Sequence, residues 1–260
     1  MSATIAPVQP RARFGGPTLG ADFPPGSSCE NSSRNGAIRS VELSGPAGRL
    51  EAVLNEGSSG APFAALVCHP HPLFGGNLHN KVVYHAMKSL NDPAFGLGVP
   101  VLRFNFRGAG FSEGTHDGEA EVSDVFAALD WLDHEIRRPI LLAGFSFGAA
   151  MALRACCSPR RSQDHRQQHP CIGALIALGL PTQIESPAYH HSILREITIP
   201  KLFLSGDNDR FSAPEQLNEI AAAAAEPTKL ILLPGADHFF SGHLEPMQRA
   251  IASWVKEQLR

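Results

Sequence analysis

The sequence lacks the features that would direct it to nucleic acid, a membrane or a disulfide scaffold. Its 22 Lys and Arg stand against 25 Asp and Glu, a formal net charge of −3 over 260 residues. No basic excess is available to neutralise phosphates or an anionic bilayer surface, so neither nucleic acid nor membrane is expected as a partner. No run of about 18 apolar residues occurs, and the N-terminus lacks the apolar core of a signal peptide. Cysteine is scarce and irregular, with residues at 29, 68, 156, 157 and 171. The odd count argues against a disulfide framework, and the absence of Cys-x-x-Cys against a thiolate zinc site. Reduced thiols in a cytoplasmic protein are the expectation.

The chain divides by composition. Residues 1–36 are rich in Pro, Gly and Ser and read as a disordered tail, with an arm docking on a partner subunit as the alternative. Residues 37–260 suit one α/β domain with a large core. Continuous apolar runs mark strands covered on both faces: FAALVC (63–68), VPVLRFNF (99–106), PILLAGF (139–145), IGALIALGL (172–180), KLFLS (201–205) and KLILL (229–233). AIRSVEL and RLEAVLNE flank a Gly-Pro-Ala-Gly turn at 45–48, which predicts an antiparallel hairpin ahead of them.

Helical spacing appears between the strands, at Val83, Ala86, Met87 and Leu90 and again at Val122, Val125, Phe126 and Leu129. A last helix over about 244–259 groups Met247, Ile251, Trp254 and Val255, and Ser212-Ala-Pro-Glu215 offers a capping box. The polar stretch 158–170 reads as a solvated loop. Two strands followed by repeated strand–helix units predict a doubly wound, mostly parallel sheet of about eight strands. Only about twenty residues separate Leu180 from Lys201, room for a short cap and no large lid.

Gly-x-Ser-x-Gly occurs twice, around Ser112 and around Ser146. Context separates the copies. Ser146 stands between the strand-like PILLAGF and the helix-forming AAMALRA, where a sharp elbow would strain its backbone and project its hydroxyl. Gly144 and Gly148 would be needed because side chains there would meet the neighbouring strand and helix. Ser112 follows its strand by several residues and precedes a polar, turn-like stretch, so it reads as part of a structural loop. The glycines at 108, 110 and 114 miss the Gly-x-Gly-x-x-Gly spacing of a dinucleotide site.

A serine nucleophile needs a base, and the base a carboxylate that orients it. Elbow enzymes carry these in the chain order Ser, Asp, His, each past a later strand. Among 12 histidines, His238 has that order and position, with His243 its nearest competitor. Asp209 is preferred over Asp207, which suits a structural turn. The oxyanion formed during acyl transfer calls for the Phe147 N–H and a second donor from the loop 68–80. Pro70 and Pro72 have no N–H, which leaves His71, Leu73 and the residues beyond. His69 and His71 lack a third ligand at a suitable spacing, so no metal is expected, and no cofactor is implied.

The segments HPHPLFGGNLHNKVV, RFNFRGAGFSEG, AGFSFG, GDNDRF and GADHFF, in order over residues 68–240, make the chain resemble the α/β-hydrolase superfamily. Within it, the resemblance is to a dienelactone-hydrolase-like branch of bacterial serine hydrolases and esterases. It implies Ser146, Asp209 and His238 as nucleophile, acid and base, Leu73 as the second oxyanion donor, and a structural role for the loop of Ser112. Dienelactone hydrolases proper carry cysteine at the elbow, where this chain has serine. The expected activity is hydrolysis of small or short-chain carboxylic esters, with a small-peptide peptidase or amidase as the alternative. The complete Ser-Asp-His set argues against a binding module without catalysis. Oligomeric state is not legible.

Overall fold

The computed structural model describes residues 36–95, 97–157, 172–182 and 192–258. The expected tail, but for Gly36, and the expected solvated loop at 158–170 lie outside the described residues.

The chain opens with the antiparallel hairpin β1 (Ile38–Gly45) and β2 (Gly48–Asn55), turning at Gly45–Gly48. Then follow β3 (Ala64–Cys68), α1 (Lys81–Asn91), β4 (Val101–Phe104), α2 (Glu121–Ile136), β5 (Ile140–Phe145) and α3 (Phe147–Cys157). After these come β6 (Ile172–Leu178), β7 (Lys201–Gly206), α4 (Pro214–Ala223), β8 (Thr228–Leu233) and α5 (Leu244–Gln258). The eight strands form one sheet in the order β1-β2-β4-β3-β5-β6-β7-β8, parallel from β4 to β8. The connection from β6 to β7 is too short for a lid domain.

Alternation within the strands builds two cores. Ala64, Leu66 and Cys68 of β3 face one core, to which α2 and α3 contribute Leu129, Leu132, Met151 and Leu153. Ala65 and Val67 face the other, with Val83 and Leu90 of α1 and Ile251 and Trp254 of α5. Burial on both faces is why these strands read as unbroken apolar runs rather than alternating ones. Among the described residues, no helix is long and apolar enough to cross a membrane.

One local expectation is corrected. Helix α4 has Ala213 at its N-cap, with no side-chain cap, and Pro214 in its first turn. The Ser212 hydroxyl instead donates to the Leu180 carbonyl, a longer-range partner that removes it from capping. Helix α2 packs the expected Val122, Val125, Phe126 and Leu129 on the core and also turns Glu121 and Asp124 inward, both fully buried. Polar partners on the preceding loop account for that burial: Arg107 meets Asp124 at 2.7 Å, and His116 lies 2.7 Å from Glu121.

Candidate active site

The C-terminal ends of β5, β7 and β8 bring three of the expected residues together. Ser146 stands between β5 and α3 at φ +53°, a left-handed conformation that costs a non-glycine residue roughly 1–3 kcal/mol. Both neighbouring glycines are sterically required. A Cβ on Gly144 would come within 2.2 Å of the Gly148 carbonyl oxygen, and one on Gly148 within 2.4 Å of the Cys68 carbonyl oxygen. The elbow is anchored by the Ser146 N–H, which donates to Leu178 O at 2.9 Å.

His238 Nε2 lies 3.1 Å from Ser146 Oγ, and its Nδ1 lies 2.8 Å from Asp209 Oδ2. An ionised carboxylate only accepts, so Nδ1 carries the proton and Nε2 is left to receive the serine hydroxyl. Asp209 is 3% exposed and accepts two further hydrogen bonds, from Ser205 Oγ at 2.9 Å and the Phe211 N–H at 2.8 Å. Burial alone would raise its pKa. The hydrogen bond and charge of His238, with help from Phe211 and Ser205, outweigh that and hold it below the usual carboxylate range.

The competitors are engaged elsewhere. Asp207 accepts the Gly235 N–H at 2.7 Å, and His243 Nδ1 lies 2.9 Å from Ser241 O. Ser112 donates to Asn105 O at 2.7 Å and accepts the Glu51 N–H at 2.9 Å, which ties its loop to β2. Asp237, given no role by the sequence reading, accepts the Phe239 and Ser241 N–H groups and so shapes the turn that carries His238.

A cavity of about 260 Å³ opens beside Ser146, walled by Pro70, His71, Phe147, Pro181 and His238. Phe74, Phe211 and Phe239 ring its mouth, exposed by 87, 40 and 42%. A larger groove between the first hairpin and α2 contains none of these residues.

Leu73 is not brought to the cavity. Its amide donates to His71 Nδ1 at 3.3 Å and its side chain is 74% exposed, because His71 caps the short 3-10 turn Pro72–Phe74. His71 lines the cavity instead, and among the described residues its N–H has no hydrogen-bond partner. The Phe147 N–H opens α3, where no preceding turn supplies a carbonyl.

His69 is fully buried between Pro70 O, 2.6 Å from Nδ1, and the Phe106 N–H, which donates to Nε2 at 3.0 Å. Burial drives its pKa down to about 4, so both ring nitrogens are committed in the neutral form. Among the described residues, no group of three or more His, Cys, Asp or Glu could hold a metal ion.

Sequence and structure comparisons give the family and the fold. The family described as alpha/beta hydrolase domain matches residues 83–253. An uncharacterized protein of Rickettsia prowazekii is 35% identical over 223 residues, 83% of this chain and 87% of its own. The crystal structure of a Xanthomonas campestris a/b serine hydrolase without lid superposes with a TM-score of 0.71 at 29% identity, covering 85% of this chain and 94% of that one. An alpha-beta serine hydrolase homologue from Coxiella burnetii gives 0.70 at 31% identity, over 83% and 96% of the two chains. With the family pattern spanning more than half its length, the chain belongs to the α/β-hydrolase family.

Proposed function

We propose that the protein is a serine hydrolase that cleaves small or short-chain carboxylic esters through an acyl-enzyme on Ser146. The observation that carries this reading is the continuous relay from Ser146 Oγ to His238 at 3.1 Å and on to Asp209 at 2.8 Å. His238 Nε2 takes the hydroxyl proton as Oγ attacks the ester carbonyl. The developing oxyanion accepts from the Phe147 N–H and, in place of Leu73, from the His71 N–H. Collapse of the tetrahedral intermediate breaks the bond to the alkoxide, which leaves with the proton from His238. Water then repeats the sequence on the acyl-enzyme and regenerates the serine.

The His71 assignment has a mechanical basis. Pro70 O and the His71 N–H belong to one planar peptide, so holding the oxygen on His69 turns the N–H to the opposite side. The apolar lining and the 260 Å³ volume support a compact apolar acyl or alcohol group. Cytoplasmic residence remains part of the proposal, and the unbridged, buried Cys68 is consistent with a reducing compartment.

The test is hydrolysis of p-nitrophenyl esters from acetate to decanoate by the wild type and by Ser146→Ala. Turnover of the short esters that disappears in the variant is expected. No turnover by a folded wild type would overturn the ester reading and direct the search to amides. Turnover surviving in Ser146→Ala would remove Ser146 from the reaction.

A further inference from the structure

The loop after β4 supplies no reacting group to the proposed reaction, yet its His116 side chain packs against the site. The His116 ring centroid lies 4.5 Å from that of His71, edge-on, and 5.3 Å from that of Phe147. His71 and Phe147 are themselves 5.1 Å apart. The three rings close a triangle, and two of them belong to the residues whose amides face Ser146 in the proposed reaction.

Behind His116 is a buried acid. Its Nδ1 lies 2.7 Å from Glu121 Oε1, off the line of a good hydrogen bond, with the two side chains 6 and 0% exposed. Glu121 Oε1 also accepts the Asp117 N–H at 3.0 Å, while Oε2 has no partner among the described residues. A carboxylate sealed from water with one oxygen unsatisfied is costly, and an apolar pair of the same size would fill the space at lower cost. Stability alone therefore does not account for this arrangement.

The ring of His71 is coupled to its own backbone, because Nδ1 accepts the Leu73 N–H at 3.3 Å. Fixing that ring fixes the peptides on either side of it. His69 already holds the oxygen end of the Pro70–His71 peptide. The side-chain end is what His116 can hold.

We propose that His116, seated on Glu121, is a positioning residue for this peptide. By bracing the His71 ring against Phe147, it keeps the His71 N–H directed at the carbonyl oxygen that Ser146 attacks. The role rests on the ester-hydrolase reading of the same site. An oxyanion donor acts through its aim, and an error of about 1 Å is enough to cost a large part of its effect.

The full chain, His116→Ala, and the double variant His116→Phe with Glu121→Gln provide the test. The double variant keeps a ring and removes the unpaired acid. Two quantities are read: kcat and KM for p-nitrophenyl acetate, and the amide signals of His71 and Leu73 in a ¹H–¹⁵N spectrum. His116→Ala is expected to lower kcat by about tenfold or more, short of the roughly 10²–10³ that deleting a donor costs, with KM little changed. The His71 and Leu73 amides should move while those of Asp209 and His238 stay, and the double variant should recover most of kcat.

Wild-type kcat in a folded His116→Ala, or unmoved His71 and Leu73 amides, would overturn the proposal. Should His116→Ala not fold, His116→Leu with Glu121→Gln replaces it, and wild-type kcat there would overturn the proposal equally. A wild type that hydrolyses no ester, but whose His71 and Leu73 amides respond to His116→Ala, would sink the ester reading and leave the bracing role standing.

Discussion

Gly179 leaves no room beside His238. A Cβ built on Gly179 would lie 3.2 Å from both Nδ1 and Cε1 of the imidazole, and the residue holds φ +52° at the end of β6. Gly179→Ala therefore adds backbone strain of about 1–2 kcal/mol and pushes the ring off its line to Ser146. The expected outcome is a kcat loss of about 10²-fold, larger than the modest drop in melting temperature would suggest. Wild-type kcat in the variant would mean that the imidazole can shift without consequence.

The two aspartates of the β7 loop should separate cleanly. Asp209 holds His238, Ser205 and the Phe211 N–H, whereas Asp207, among the described residues, holds only the Gly235 N–H of a turn. Asp209→Asn is expected to lower kcat by about 10⁴-fold, and Asp207→Asn mildly. Equal losses in folded variants would reverse the assignment. Bonds to His238, Phe211 and Ser205 hold the Asp209 pKa below the usual carboxylate range, so it stays ionised where an ordinary aspartate begins to protonate. The acid-side profile of activity should therefore be unchanged in Asp207→Asn, and a shifted profile there would count against the assignment.

His69 makes stability depend on pH. Its pKa falls from 6.5 to about 4 on folding, so between those values the unfolded chain binds more protons than the folded one. Stability is then complete above about pH 6.5 and decreases as pH falls toward 4, by up to roughly 3 kcal/mol. Urea titrations at pH 7 and pH 4.5 check this, and His69→Gln should flatten the difference. A wild type equally stable at both values would contradict the burial of a neutral His69.

The two Gly-x-Ser-x-Gly serines should respond in opposite ways. Ser146→Gly removes the cost of a left-handed L-residue, so the folded state should gain about 1 kcal/mol while activity vanishes. Ser112→Ala removes a hydroxyl that bridges Asn105 O and the Glu51 N–H, so stability should fall by about 1–3 kcal/mol. Ester turnover by the remaining folded protein should hardly change. Thermal melts beside kcat measurements distinguish these outcomes, and a catalytic collapse in Ser112→Ala would contradict its placement in a structural loop.

The strands were legible because a parallel sheet covered on both faces leaves unbroken apolar runs such as Ile140–Phe145. The meeting of Ser146, Asp209 and His238 was legible because chain order and strand ends restrict it to few candidates. What could not be read depends on partners distant in sequence. Ser212 looks like a cap until Leu180, 32 residues away, claims its hydroxyl. Leu73 looks available until the neighbouring His71 ring accepts its amide. The burial of Glu121 and Asp124 was not read from the sequence, because it depends on His116 and Arg107 in the preceding loop. Ser205 and Gly179 carry no motif, and only the packing around Asp209 and His238 reveals them.

The contact at Gly148 has a consequence for how such a site can change. A Cβ built there would lie 2.4 Å from the Cys68 carbonyl oxygen and 2.5 Å from that of His69, so the first turn of α3 packs directly on the loop after β3. A larger residue at 148 would push these two segments apart, and with them the amides of Phe147 and His71. The mouth is under no such constraint, because the exposed Phe74, Phe211 and Phe239 can each be exchanged without touching that contact.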